Sequence, residues 1–330
     1  MPFVPSFPGC SQFLPRRNLH LVLKGPTAFR RIHGVFYSSQ LGLCEPAFRC
    51  HLANLRVIEA HNAGNSSFTM GITQFADLTA AEFSAYVKRF PMNVTRPRNE
   101  VWITEAPLQE VDWRQKNAVT EIKNQGQCGS CWSFSTTGSV EGAHAIATGK
   151  LVSLSEQQLM DCSTRYGNHG CNGGLMDYAF EYVIANGGLD TEEDYPYTAE
   201  DGKCNTEKEK KHAAEIHGFR NVPKEHEDQL AAAVSIGPVS VAIEADQAGF
   251  QHYTSGVFDG KCGTSLDHGV LVVGYSDDYW IVKNSWGKSW GEEGYIRLKR
   301  GVDKKGMCGI TMQASYPEKR PILCFSRFNR

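Results

Sequence analysis

Gln125-Gly126-Gln127-Cys128-Gly129-Ser130-Cys131-Trp132 decides the reading of this chain. Two cysteines stand three positions apart, and the residues after them suit a helix. Trp132-Ser-Phe-Ser-Thr-Thr-Gly-Ser-Val140-Glu-Gly-Ala-His-Ala-Ile146 keeps apolar groups on one side, and Gly149 is placed to stop it. Cys128 is placed to be bridged, and Cys131 to open the helix with its thiol free. A thiolate at a helix N-terminus meets the positive end of the backbone dipole, so a depressed thiol pKa is expected.

Such a nucleophile needs a base, and the base needs an orienting group. His268 lies in Leu266-Asp267-His268-Gly269-Val270, and Asn284 in Val282-Lys283-Asn284-Ser285-Trp286-Gly287, which is 137 and 153 residues beyond Cys131. Singly, each has an ordinary alternative. Cys128-Gly-Ser-Cys131 could be a redox pair or half of a zinc site, His268 a core histidine, and Asn284 a strand-end asparagine. The redox and zinc readings leave His268 and Asn284 unexplained, and no metal-ligand spacing involves the other histidines. No cofactor or metal is expected.

Together the three segments resemble those of papain-like cysteine proteases, in which C-G-[SA]-C-[WY] is followed by His and Asn roughly 130–150 residues later. The resemblance runs from about Leu52 to Pro317 and is nearest the cathepsin L-like branch. It implies that Cys131 attacks the scissile carbonyl, with His268 as imidazolium partner and later proton donor. Asn284 would orient the imidazole, the Cys-His-Asn variant of the triad. Gln125 matches the oxyanion-hole glutamine, acting with the Cys131 backbone N–H, and Trp286 the tryptophan that shields the His–Asn bond. Gly173-Gly174-Leu175-Met176 resembles the wall along the extended substrate. Ala242, Leu266 and Gly269, with Asp267 beside the histidine, match positions around the S2 pocket, giving a preference for apolar P2 residues. Gln313 falls at the pocket floor, where a polar group would extend tolerance toward basic P2 side chains. The short Cys162–Cys171 interval leaves no room for an occluding loop, which favours an endopeptidase over a dipeptidase.

Of eleven cysteines, seven fall between Ala106 and Pro317, and setting Cys131 aside leaves six. Counting leaves their pairing open; the resemblance implies Cys128–Cys171, Cys162–Cys204 and Cys262–Cys308. Three bridges imply an oxidising folding route and lysosomal, vacuolar or extracellular residence.

Upstream, Asn54, Ile58 and Asn62 fall on one helix face, as in the propeptide helix of cathepsin L-like zymogens. Gly71-Ile-Thr73-Gln-Phe75-Ala-Asp77 resembles their Gly-x-Asn-x-Phe-x-Asp motif, with Thr73 replacing the asparagine. Thr79 and Glu82 form a capping box. An ordinary amphipathic helix pair would show similar periodicity, but the placement ahead of the catalytic region favours an inhibitory propeptide over residues 51–105. The family's aromatic is replaced by His51. Residues 1–43 hold five Lys or Arg, no acids and no apolar h-region, so no signal peptide is read. They have instead a weak transit-peptide flavour, and residues 1–50 are left as an atypical leader. Asn65-Ser-Ser67 and Asn93-Val-Thr95 fit glycosylation acceptors. Processing is expected in the Arg96–Glu105 stretch, leaving a peptidase domain over 106–317 and a C-terminal extension over 318–330.

Charge follows the same division. Residues 1–105 carry 11 basic and 6 acidic side chains, and residues 106–317 carry 19 and 29. A basic leader on an acidic body suits a segment released on acidification, because carboxylates discharge as pH falls. No run is long and apolar enough for a membrane span. A soluble monomer is expected, without nucleic-acid or membrane partners, acting on protein and peptide substrates and inhibited by its own propeptide and by cystatin-type inhibitors.

Helical signals fill the first half of the catalytic region: Ser155 with Gln158 as a capping box, Leu175–Ala185 ended by Gly187, and Glu227–Ser235 ended by Gly237-Pro238. Strands fill the second: Val239–Glu244, Gly269–Tyr275, Tyr279–Lys283 and Tyr295–Lys299. The expected fold is α+β. The resemblance makes it a papain-like pair of subdomains, a helical left half and an antiparallel β-barrel-like right half, preceded by a helical propeptide. The nucleophile would lie on the helical half and His and Asn on the other, with the cleft between them. A silent protein with a damaged leader, a propeptide-based binding protein and a transpeptidase are the competing readings; the full Cys-His-Asn-Gln set argues against the second.

Overall fold

The computed structural model describes residues 29–32, 35–38, 45–87 and 99–318, with side chains from Arg49 onward. Most of the 1–50 leader, Cys10, Cys44, Asn93, Cys324 and the tail beyond Glu318 lie outside the described residues. Helices are α1 (Glu45–Asn62), α2 (Ala80–Val87), α3 (Cys131–Thr148), α4 (Glu156–Cys162), α5 (Met176–Asn186), α6 (Glu227–Ile236) and a short α7 (Ala248–Gln251). Strands β1 (Phe29–Ile32) and β2 (Val35–Ser38) form an antiparallel hairpin. The main sheet comprises β3 (Phe68–Met70), β4 (Val111–Asp112), β5 (Gly218–Asn221), β6 (Val239–Ile243), β7 (Tyr253–Phe258), β8 (His268–Tyr275), β9 (Tyr279–Lys283), β10 (Tyr295–Lys299) and β11 (Ala314–Glu318).

The central helix α3 ends where the sequence places its stop. Gly149 takes φ 74°, a left-handed cap that glycine adopts without a Cβ penalty, and its N–H bonds to Ala145 O at 2.8 Å. The helix owes its small and hydroxylated residues to a close approach to the sheet. A Cβ on Gly138 would lie 2.7 Å from Leu271, and one on Gly142 2.6 Å from Pro238. Ser135 Oγ donates to Val270 O and Ser240 Oγ to Ser135 O, so the helix is hydrogen-bonded to β8 and β6 as well as packed on them. Ser155 caps α4 through Gln158 N, but the Gln158 side chain completes no box. It reaches Tyr182 and Asp190 instead, because burial offers it better partners.

Sheet order is β3-β7-β10-β9-β8-β6-β11-β5, with β4 beside β8. The barrel-like half is an open sheet and not wholly antiparallel. The two ends of the path, β3 and β5, are not paired with each other, and β10–β7 is parallel. The β3 edge is occupied by the propeptide itself, in antiparallel register with β7. All eight residues of β8 are buried, which fits a central strand.

Among the described residues two large apolar cores result, with a small third cluster of Leu271, Val273 and Ile281. One gathers Trp132, Leu159, Phe180 and Leu175 among the helices. The other lies around the sheet and takes in Phe68, Phe75, Phe83 and Tyr86 of the propeptide. Full burial of such side chains contributes roughly 1.5–3 kcal/mol each, so the propeptide shares the core of the body it covers. The capping box at its second helix is reciprocal, with Thr79 N donating to Glu82 Oε2 and Glu82 N to Thr79 Oγ1. Asn54 Nδ2 holds Ala76 O and Leu78 O, and Asn62 brackets Met70 through both its N–H and C=O. The expected processing stretch is not free along its described part. Val101 N bonds Asn221 O, Ile103 N bonds Gln229 Oε1, and Trp102 lies 4.6 Å from His226.

Candidate active site

A short ladder across the two halves assembles the site. Gln125 N donates to Ser285 O at 2.8 Å, Gly287 N to Lys123 O at 3.1 Å, and Asn124 bridges Trp286. The strip 123–125 and the strip 285–287 are thereby held side by side, with Cys131 at the end of one loop and Asn284 at the end of the other. The loop before α3 is fixed further. Cys128 is bridged to Cys171, Gly129 N donates to Cys171 O, and Tyr197 Oη donates to Gln125 O while accepting from Ser130 Oγ. Cys162–Cys204 and Cys262–Cys308 are the other bridges.

Cys131 opens α3 and is free and buried. Gly269 N–H donates to its sulfur at 3.3 Å, which sets β8 against the helix start. His268 is the first residue of β8. Its Nε2 bonds Asn284 Oδ1 at 2.8 Å, and its ring stacks on Trp286 with centroids 4.7 Å apart. The Asn284 oxygen also accepts Ser285 N, which fixes the amide's orientation. Trp286 is fully buried, its other ring contacts being Phe75, Phe83, Trp290 and Tyr86 at 5.2, 5.7, 4.9 and 6.3 Å. Gln125 is held at both ends of its amide, with Nε2 donating to Cys128 O and Oε1 accepting from Ser285 Oγ. One N–H of that amide remains for an incoming oxygen.

The expectation of a depressed thiol pKa at Cys131 is overturned in this state. Burial pushes the thiol up to about 11, against the lowering effect of the Gly269 and Trp132 N–H groups. Burial likewise holds His268 down at about 4, although Asn284 opposes it. Desolvation disfavours the charged form of each and exceeds the dipole effect. Both groups are therefore neutral. Among the described residues no hydrogen bond joins the Cys131 sulfur to the His268 ring. The covered site is a resting one.

Leu175, Met176, Ala242 and Leu266 fall into one buried cluster, with Met312 packed against it. Gln313 adjoins it, its backbone oxygen accepting Ala242 N at 2.9 Å, while its buried Nε2 has no partner among the described residues. Gly173 takes φ 107°, and a Cβ on Gly174 would stand 2.4 Å from Asn168 Oδ1 and 2.8 Å from Trp132, so the wall is bare backbone. Asp267 serves structure at one oxygen, accepting Ala245 N at 2.8 Å.

Three supports escaped sequence reasoning. Ser285 and Tyr197 hold Gln125, and Ser285 stood in plain view inside the asparagine motif. The third is a buried charge cluster behind the nucleophile helix. Lys123 Nζ reaches Glu156 Oε1 at 2.6 Å, Glu141 Oε1 at 3.1 Å and Leu154 O at 3.0 Å. Thr120 Oγ1 donates to Glu141 and accepts from Lys283 Nζ. Burial pushes Glu156 up to about 7 and lowers Lys283 to about 8, whereas Glu141 is held low by Lys123 and Lys283 against its own burial. Only Lys283 carried a sequence signal, as a single cation at the end of the apolar run Tyr279–Val282.

Known proteins match this arrangement. The profile described as "Papain family cysteine protease" matches residues 107–318, and "Cathepsin propeptide inhibitor domain (I29)" matches residues 48–83. "Probable cysteine protease RD21B" of Arabidopsis thaliana is 50% identical over 300 residues, covering 87% of this chain and 65% of its own length. "Cysteine proteinase COT44" of Brassica napus is 50% identical over 308 residues, 87% of this chain and 93% of its own. The chain thus spans 60–65% of the length of the three RD21-type Arabidopsis relatives it matches. Among solved structures, "Recombinant stem bromelain precursor" superposes with a TM-score of 0.77 at 42% identity, over 83% of this chain and 91% of that one. Digestive procathepsin L 3 of Tenebrio molitor gives 0.77 at 43%, over 86% and 95%. The chain belongs to the papain family of cysteine proteases, with a cathepsin-type propeptide inhibitor domain ahead of its peptidase domain.

Proposed function

We propose that this chain is the zymogen of a cysteine endopeptidase that cleaves after segments with an apolar P2 residue and becomes active on acidification. The observation that carries the reading is the placement of Cys131 beside Gly269 at the mouth of β8, with His268, Asn284 and Trp286 held in one stack. Once the cover is withdrawn and water enters, the desolvation that keeps the pair neutral is relieved, and proton transfer from Cys131 to His268 gives thiolate and imidazolium. The thiolate attacks the carbonyl carbon of the scissile bond. The developing oxyanion takes the free Gln125 Nε2–H and the Cys131 backbone N–H. His268 gives its proton to the leaving amine, and water, deprotonated by the same ring, then releases the acid from the thioester. Asn284 keeps the ring in register and Trp286 keeps water from their bond. The cluster of Leu175, Met176, Ala242 and Leu266 receives the P2 side chain.

The propeptide acts as the inhibitor in this reading. Its Phe75 and Phe83 pack on Trp286, Gln74 Nε2 bonds Trp286 O at 2.8 Å, and Tyr86 Oη bonds Gly126 O at 2.8 Å. The anchors thus sit on the residues that flank the catalytic pair. Acidic lysosomal or vacuolar space, or the extracellular medium, is the setting this implies, with a monomer acting on proteins and peptides and open to cystatin-type inhibitors.

The test is acid activation under reducing conditions with a thiol-directed covalent titrant, read by intact and peptide mass spectrometry. Label on Cys131 with a new N-terminus near Ala106 is the expected result. A chain that stays full-length and unlabelled at every pH between 4 and 7, roughly the acidic-to-neutral span over which histidine titrates, would refute the reading.

A further inference from the structure

The propeptide grips the peptidase domain at a second place, away from Trp286. Thr73 Oγ1 donates to Gln251 O at 2.6 Å, Gln251 Nε2 returns bonds to Phe75 O and Leu78 O, and Gly71 N donates to His252 O at 2.8 Å. The next residue, Tyr253, is paired with Met70 in the β3–β7 register. Inside this junction lie two histidines, one from each side. His252 is 1% exposed and His51, on α1, is 2% exposed. Neither ring nitrogen of His252 has a hydrogen-bond partner among the described residues. A buried imidazole without a partner tolerates its neutral form and excludes its cation.

We propose that His252 is a proton-operated latch on the propeptide: neutral, it allows the propeptide to seat over the 247–253 segment, and protonated, it expels it. The proposal rests on the autoinhibitory docking of the propeptide and supplies the trigger for its acid release.

Burial first, and the facing His51 second, bring the His252 imidazole down to about 4 from an ordinary 6.5. A group whose pKa is lowered by docking opposes docking as it gains a proton. Docking is therefore at full strength above pH 6.5, weakens as pH falls, and has lost this contribution at about pH 4. The interval corresponds to a fall of at most about 300-fold in the docking equilibrium from His252 alone, reached when the undocked ring titrates at its ordinary value. The neighbours leave that direction intact. His51 faces Asp77 from the 71–78 turn, and Asp77 in turn feels Glu82 of α2; the Cys50 thiol is raised by burial and by both acids. Asp77 is itself raised, chiefly by burial, so it favours docking as pH falls. On the peptidase side, Glu244 is bound to the N–H groups of Gly263 and Ser265, and Asp246 accepts Ser84 Oγ. Neither acts on His252.

The experiment uses the full chain carrying Cys131→Ala, which cannot process itself. Hydrogen exchange of residues 45–87 is followed by mass spectrometry between pH 7 and 4 and corrected for intrinsic exchange. Protection of this segment should drop steeply across the window, by up to about 300-fold. Adding His252→Leu should leave protection at pH 7 equal or higher and remove most of the drop. An unchanged pH profile in His252→Leu overturns the latch while the docking stands. Absence of protection at pH 7 in the parent chain would sink the docking reading and the latch with it. The His252 ring titration by NMR in the parent chain is an independent check that needs no second variant: a value near 6.5 refutes the latch, and one near 4 supports it.

Discussion

Replacing Lys123 by Met would strip the cation from the cluster behind α3 while keeping an unbranched side chain. Two carboxylates that are 1% exposed, Glu141 and Glu156, would lose ion pairs at 3.1 and 2.6 Å, and Leu154 O a donor at 3.0 Å. Removing one partner from a buried pair costs about 3–5 kcal/mol, because the other charge stays buried without compensation. Lys283 softens the loss at Glu141 through its own charge and through Thr120, which it holds. The penalty should depend on pH. Glu156, already raised to about 7 with Lys123 present, moves higher without it, as does Glu141. A carboxyl raised in the folded state weighs against folding as pH climbs above its ordinary value, and the weight is relieved by protonation as pH falls. In denaturant unfolding of the full chain with Cys131→Ala, the loss should be about 3–5 kcal/mol at pH 8 and less than about half of that at pH 5. A loss below about 1 kcal/mol at pH 8, the scale of an exposed ion pair, would refute the reasoning. So would a loss that acidification does not reduce.

Gln125→Ala should lower kcat by about 10²–10³-fold with little change in KM, because it removes a donor to the oxyanion and not to the bound substrate; steady-state kinetics of the activated enzyme decide it. Gly174→Ala sets a Cβ against Asn168 and Trp132 and should cost about 1–3 kcal/mol of stability, read as a lower unfolding midpoint. An unchanged midpoint would mean that the wall yields. Gln313→Ala should shift selectivity between Phe-Arg and Arg-Arg substrates toward the former, since it removes a buried amide with an unsatisfied N–H beside the apolar cluster. An unaltered ratio would take Gln313 out of the account.

Helix ends were legible where a glycine stood ready for a left-handed cap, at Gly149 and Gly187. Strands β8, β9 and β10 were legible from β-branched and aromatic runs between turns. The short strands were not. β3 and β4 have three and two residues and carry no period of their own; they exist because β7 and β8 offer them an edge. That the barrel-like half stays open was not legible, because strand propensity says nothing about closure. Gln158 shows the same limit at one residue: its motif was a capping box, and its burial sent the side chain elsewhere.

The sequence by itself determined the chemistry available at the site. Cys131 at a helix start, His268 at a strand start and Asn284 two residues before Trp286 are matters of local spacing, and local spacing is written in neighbouring residues. The tertiary structure alone decided the state of that chemistry. It holds Cys131 as thiol and His268 as neutral ring, places Lys123 between two acids, and sets His51 against His252. Each of these depends on desolvation and on partners distant in the chain, and neither exists until the chain has folded.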